Sequence, residues 1–503
     1  MTRHLLLASG LAILGGCLLI DPLNDIRSGA GGGGGGAGGG VGGGCDGANA
    51  CSGLMPTAVT GEVRVTDMVF TGANDLVVGI YSGTVSFGGP QLSTAEGAWS
   101  GFLVELDASG GFVRQLAIPE ATEASKLVVD FEAGVMSGVG LVAVGGDHGS
   151  GGACAGAGLF MHRLNAAGAA FEDEASLAPS CTAFEGEVDV ADVDLSEYGY
   201  AILVGTANGT ISGASSAGTH GFSLGFENTA NTPDPPYFLG GTGESALAGI
   251  ISNEVDPNQS LLVGDFAGQL AIGPIPNAGL TAQADAAGRG LFVLAIDQFP
   301  DDPNLELVTF GTSGQQRAVS MISGDTPVDG EVHLLAMIEG TLDLGGGAIA
   351  ESTADPTALV LTFTAPNPPS SMATPGTYAY RSHYVFSAPE LDMRGLAASG
   401  DRIHVGGVAR GTISGGGSAL GVHTIETASC ARDAFVLTIQ PSVDSVDSQR
   451  CGDGSQSFQG LVSSTGMGYT AALGLPANGA IDFGVGAMPQ PLPQLLFLSS
   501  GPL

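Results

Sequence analysis

The sequence predicts an all-β fold assembled from about seven diverged repeats. Three observations predict it: a glycine-bracketed phrase recurs along the chain, short apolar runs alternate with turn residues, and helical periodicity of any length is missing.

The phrase is clearest at Val78-Gly79-Ile80-Tyr81-Ser82-Gly83-Thr84-Val85-Ser86-Phe87-Gly88. It returns as Val204-Gly205 with Gly209-Thr210-Ile211-Ser212-Gly213, and as Val263-Gly264 with Gly268 to Gly273. Ala336 replaces the first glycine ahead of Gly340-Thr341-Leu342-Asp343-Leu344-Gly345. Gly407 precedes Gly411-Thr412-Ile413-Ser414-Gly415, and the last copy runs from Gly479 to Gly484. A degraded copy spans Val144-Gly145 to Gly149. The second glycine thus falls at positions 83, 149, 209, 268, 340, 411 and 479, with steps of 59 to 72 residues and a mean of 66. The 459 residues from Cys45 to Leu503 hold about seven such units.

Each unit has one grammar. An alternating run such as Arg394 to Ala398 is followed by a turn, here Ser399-Gly400-Asp401. A strand then ends in the first glycine, as in Ile403-His404-Val405-Gly406-Gly407, and two further apolar runs close the unit. Four strands per unit is the content of one propeller blade. The expectation is a β-propeller of about seven four-stranded antiparallel blades over residues 45–503. Two stacked sheets are the alternative use of the same strands. The last unit ends at Leu495 to Leu498, one strand short, and residues near Leu54 to Val63 are expected to supply that strand.

Composition fits repeats joined by tight turns: 85 glycines and 26 prolines in 503 residues, with 44% hydrophobic side chains, enough for a core. The charge is −36, from 50 acidic and 14 basic residues, and Lys126 is the sole lysine. Nucleic-acid binding needs clustered Lys and Arg to displace counterions, so that class is excluded. The acidity reads as solubility for an exported chain. Dense Asp-x-Asp loops are absent, so no cofactor is expected, with calcium the one ion left open.

The amino terminus reads as an address. Arg3 and His4 open a short n-region, Leu5 to Leu14 form an apolar core, and Leu14-Gly15-Gly16-Cys17 puts small residues ahead of a cysteine. This resembles the bacterial lipobox. The resemblance implies a signal peptide over 1–16, a lipid on Cys17 and, with Leu18 next, sorting to the outer membrane on its periplasmic or surface face. Residues 28–44 are glycine apart from Ser28, Ala30, Ala37 and Val41. Residues 17–44 are therefore read as anchor and flexible linker, its glycine tract reaching roughly 20–25 Å on average.

Six cysteines remain besides Cys17, an even number in an exported chain, and disulfides are expected. Cys154 and Cys181 flank the same runs of one unit that Cys430 and Cys451 flank in another. This pairs Cys154 with Cys181, Cys430 with Cys451 and, by default, Cys45 with Cys51. Zinc is disfavoured because no C-x-x-C occurs.

Gly400-Asp401-Arg402-Ile403-His404-Val405-Gly406-Gly407 followed by Gly-Thr-x-x-Gly resembles the bacterial β-propeller repeat of Gram-negative surface lipoproteins. The likeness covers the chain from about residue 55, is lost in the second unit, and implies an exposed propeller with no shared catalytic residue.

No Gly-x-Ser-x-Gly elbow is present and no histidines pair at metal-ligand spacing. Aligning the units puts Arg64, Lys126, Asp192, Arg317 and Arg394 on or near the innermost strands, at the mouth of a central channel. They read either as an anionic-ligand pocket, for an acidic glycan, or as charges neutralising one another in a wet channel. The expected role is a tethered surface protein binding a polysaccharide or an envelope protein. The alternatives are an extracellular enzyme of lyase or lactonase type and a structural surface-layer component.

Overall fold

The computed structural model describes most residues between Ala58 and Ser500; residues 1–57, 501–503 and a number of connecting segments lie outside the described residues. Contacts divide the chain at Val41/Gly42, and every described residue falls in the second part. The fold is all-β: 82% of the described residues are in strands and none in a helix. The sheets are antiparallel but for one parallel residue pair, Arg289 with Gln315.

The strands follow one another in short antiparallel runs. The first run holds Ala58–Phe70, Asp75–Ser86, Trp99–Leu106 and Phe112–Ile118. The second holds Ala124–Glu132, Val135–Gly145 and Gly158–Asn165, to which residues 180–183 add an edge. The same strand, Ser180–Leu195, continues as the lead strand of the third run, ahead of Ala201–Ile211, His220–Phe226 and Tyr237–Phe238. The fourth run is Ser245–Ser252, Gln259–Ala267, Arg289–Asp297 and Leu305–Phe310. The fifth is Gln315–Ser323, Glu331–Asp343, Ala348–Thr364 and Ala379–Ser387. The sixth is Glu390–Ser399, Arg402–Arg410, Asp433–Gln440 and Ser445–Arg450. The seventh has three described strands, Ser457–Ser464, Gly468–Gly474 and Leu495–Ser500.

The strand expected from residues near Leu54 to Val63 needs correction. Residues 58–63 open the lead strand of the first run and pair with Ser86 to Tyr81, so their hydrogen bonds go to their own run. Residues 54–57 lie outside the described residues.

Why the second strand of each run reads as a near-continuous apolar phrase follows from packing. Along Asp75–Ser86, alternate residues face opposite ways. Leu76 and Val78 join a core with Ile118 of their own run and with Leu127 and Phe160 of the second. Val77, Tyr81 and Val85 join a core with Val63, Val65, Met68 and Val462, the last from the seventh run. This sheet thus buries both faces, and buried strands lose the polar alternation of a surface strand. The same holds for Arg402–Arg410, where Ile403 to Ala409 are all buried. Lead strands pack on their neighbours in chain order, and Ser457–Ser464 packs on both Glu390–Ser399 and Ala58–Phe70.

Six lead strands carry a bulge against their second strand: at Val65/Asp67, Val190/Asp192, Leu247/Gly249, Ala318/Ser320, Met393/Gly395 and Phe458/Gly460. In four of them the residue before the bulge faces a first glycine of the phrase: Gly79, Gly205, Gly264 or Gly407. At Gly205 a Cβ would stand 1.9 Å from the Asp189 carbonyl oxygen, so the glycine lets the bulged backbone approach. Ala336 and Leu473 occupy that register position in the fifth and seventh runs.

Candidate functional site

The bulges set the charged residues in register. The position one before the pre-bulge residue is Arg64, Asp189, Arg317 and Asp392 in the first, third, fifth and sixth runs. Arg394 is the bulged residue of the sixth. Neighbouring lead strands bring three of these together. Arg317 Nη2 donates to Asp392 Oδ1 at 3.2 Å, while Arg394 donates through Nε and Nη2, each 2.8 Å from Asp392 Oδ2. The two arginine side chains are 59% and 53% exposed and Asp392 22%, so a part-buried carboxylate holds two cations that face solvent. With Ala318, Val319 and Met393 they line a cleft of about 250 Å³.

Lys126 and Asp192 sit in a different setting. Asp192 Oδ1 accepts from Val193 N at 2.9 Å, and Oδ2 from Ile250 N at 3.0 Å on the next lead strand. Asp67 does the same one pair of runs earlier: Oδ1 accepts from Met68 N at 2.9 Å and Oδ2 from Leu127 N at 2.8 Å. Burial raises both carboxyls, Asp192 to about 7, with the charges of Asp67 and Asp194 adding to the rise. The Lys126 ammonium opposes the rise at both, which places the sole lysine electrostatically between them. Asp265 repeats the device, accepting from Ala318 N at 3.0 Å and from Arg289. Gln459 supplies a neutral version, its Oε1 accepting from Val65 N at 2.8 Å. Asp67, Asp192 and Gln459 tie one lead strand to the next, Asp265 ties the second strand of its run to the lead strand Gln315–Ser323, and no carboxylate oxygen of Asp67 or Asp192 is left without a donor.

Arg64 is held apart from both groups. Its guanidinium donates to Glu62 Oε1, from Nε at 2.9 Å and Nη2 at 2.6 Å, and lies 4.8 Å over the ring of Trp99, the one tryptophan. The five expected channel-mouth residues therefore occupy three settings, and the Arg317–Arg394 pair opens on a cleft.

Sequence reasoning missed Asp392, Asp67 and Gln459. A signal existed for Asp67: Val63-Arg64-Val65-Thr66-Asp67 and Val188-Asp189-Val190-Ala191-Asp192 share one pattern. Asp392 is masked by the abundance of acids and stands out only once the bulges fix the register.

His333 and His404 hold equivalent places. Each Nδ1 hydrogen-bonds with a threonine hydroxyl across the strand pair, Thr362 at 3.1 Å and Thr438 at 3.0 Å. Burial depresses both imidazoles to about 4, with Arg402 adding to the effect at His404, so both are neutral at physiological pH. Among the described residues, no three His, Cys, Asp or Glu side chains group to hold a metal ion. Cys181 takes part in a disulfide; its expected partner Cys154, like Cys17, Cys45, Cys51, Cys430 and Cys451, lies outside the described residues. No protein-family model and no curated protein matches the chain.

Proposed function

We propose that this is an exported, lipid-anchored protein that presents a seven-bladed β-propeller on a glycine-rich tether and binds a polysaccharide or protein partner of the cell envelope. The lipobox-like Leu14 to Cys17 supports the anchor, and residues 28–44 support the tether. The propeller is supported by the succession of lead strands, each packed on the next, with the last also packed on the first. Val462 of the seventh run shares a core with Val63, Val65 and Met68 of the first. Blades packed face to face around a common axis bury both faces of each sheet, which accounts for the two-sided cores.

The observation that carries the binding function is the Arg317–Asp392–Arg394 cleft. A chain of net charge −36 keeps two half-exposed arginines side by side at the meeting of two sheets. The test is membrane fractionation with pull-down, using the full chain beside Cys17→Ala and Arg317→Ala/Arg394→Ala. The first variant is expected to leave the membrane fraction and the second to stay there while losing its partner. A parent chain that fractionates as soluble, or captures nothing that depends on the arginines, would overturn the proposal.

A further inference from the structure

We infer that the cleft takes a carboxylate-bearing sugar, a hexuronate residue of a polymer, and not the surface of a protein; this rests on the binding function proposed above. Three features of the cleft carry it. The first is donor supply. A guanidinium has five N–H donors in a planar fork. Asp392 occupies the Nη2 of Arg317 and the Nε and Nη2 of Arg394, which leaves further N–H groups on side chains more than half exposed. Two forks beside one another suit a carboxylate, which accepts in the same bidentate geometry.

Size and lining come second. The cleft, about 250 Å³, is smaller than the sites that enclose whole drug-sized ligands. It suits one sugar ring of a longer chain. Val319, part-buried on the cleft lining, offers apolar surface to ring C–H groups.

The third feature weighs against a protein partner. Stable protein interfaces need a desolvated core of aromatic and apolar anchors within roughly 1,000 Å² or more. Among the described residues, the large hydrophobic side chains that are exposed are Val113 and Tyr380, and neither lines the cleft. The rest of the acidic chain repels polyanions, which favours the few places where arginines are exposed, and here two stand side by side.

Asp392 then has a specific part. It holds the arginines in position, and its charge opposes the incoming carboxylate. A neutral sugar would instead use that charge as an acceptor for hydroxyl groups. Asp392→Asn keeps the size and an acceptor oxygen but removes the charge, so the two ligand classes respond in opposite directions.

The experiment is a calorimetric titration of the full-length protein in detergent. The probes are polygalacturonate, alginate, the same polymers after chemical reduction of their carboxyl groups, and neutral dextran. Detergent-solubilised envelope proteins are tested in parallel by pull-down. The expected result is binding of the uronate polymers, at least about tenfold weaker for the reduced forms. Arg317→Ala and Arg394→Ala should each weaken it about tenfold or more, and Asp392→Asn should tighten it severalfold. Reduced or neutral polymers binding as well as the uronates, or Asp392→Asn weakening them, would overturn the ligand class. So would arginine-dependent capture of an envelope protein with no uronate binding, and in each of these cases the cleft would remain a binding site. Failure of every polymer and every envelope protein to bind would remove the ligand class and the binding function together.

Discussion

Asp192 Oδ2 accepts a hydrogen bond from the backbone N–H of Ile250 at 3.0 Å, so a carboxylate of one lead strand closes an open backbone donor of the next. Burial lifts this carboxyl from 3.8 to about 7. A carboxyl raised in the folded state stabilises fully below its unfolded pKa, and that contribution is lost as pH rises through its folded pKa. Asp192 therefore withdraws up to about 4 kcal/mol of stability between about pH 4 and pH 7, at 1.36 kcal/mol per pKa unit. Asp192→Asn keeps an acceptor for Ile250. Its melting temperature relative to the parent should climb from pH 4 to pH 7 and then level off. A difference that stays flat across that window would show that Asp192 remains ionised in the fold.

His333 and His404 act in the opposite sense. Their imidazoles are depressed to about 4, so the stability they contribute is present above their ordinary value of 6.5 and lost as pH falls toward 4. Each accounts for about 3 kcal/mol of acid sensitivity. NMR titration of the ring protons should show two histidines that do not protonate between pH 8 and pH 5. His404→Gln should remove about half of the combined acid sensitivity; titration of both rings near pH 6.5 would refute their burial.

Gly205 and Gly213 separate two uses of glycine. A Cβ at Gly205 would press on the Asp189 carbonyl oxygen at 1.9 Å, whereas Gly213 has no atom within 4 Å of its Cβ position but a φ of +79°. Gly205→Ala should cost about 3 kcal/mol, because backbone must move. Gly213→Ala should cost about 1 kcal/mol, the strain of a left-handed residue. Chemical denaturation of the two variants checks the order, and equal costs would mean that the bulge yields.

Arg317 and Arg394 make exposed ion pairs, a kind worth at most about 1 kcal/mol. Arg317→Ala and Arg394→Ala should shift the melting temperature by no more than a few degrees. A collapse of stability in either variant would assign these side chains to the architecture and not to a ligand.

Much of the all-β architecture is legible in the sequence because both-face burial writes an apolar phrase into every second strand, and turns demand glycine. Val78 to Phe87 and Ile403 to Gly407 carry both marks. The bulges are harder to see: they depend on where one strand meets another, and Ala336 and Leu473 occupy the glycine position without abolishing them. The five charged positions all lie on lead strands, but their partners are not legible in the sequence. Asp392 reaches Arg317 from 75 residues away, and Gln459 reaches Val65 from 394. Such pairs exist only through packing between sheets, which local pattern does not encode. Arg64 was grouped with the other arginines by register, yet its neighbours Glu62 and Trp99 engage it within its own sheet.

The seventh run packs on the first, with Val462 in the core of Val63, Val65 and Met68. Gln459 is the side chain that spans the junction, and its loss leaves the Val65 N–H buried without its acceptor, a cost of about 1–3 kcal/mol. Hydrogen-exchange mass spectrometry on Gln459→Ala tests this closure. Closure predicts that peptides from Ala58–Phe70, nearly 400 residues away, exchange several-fold faster than in the parent. If the change stays within Ser457–Ser464 and its partner Gly468–Gly474, the seventh and first runs do not pack together and the propeller is wrong.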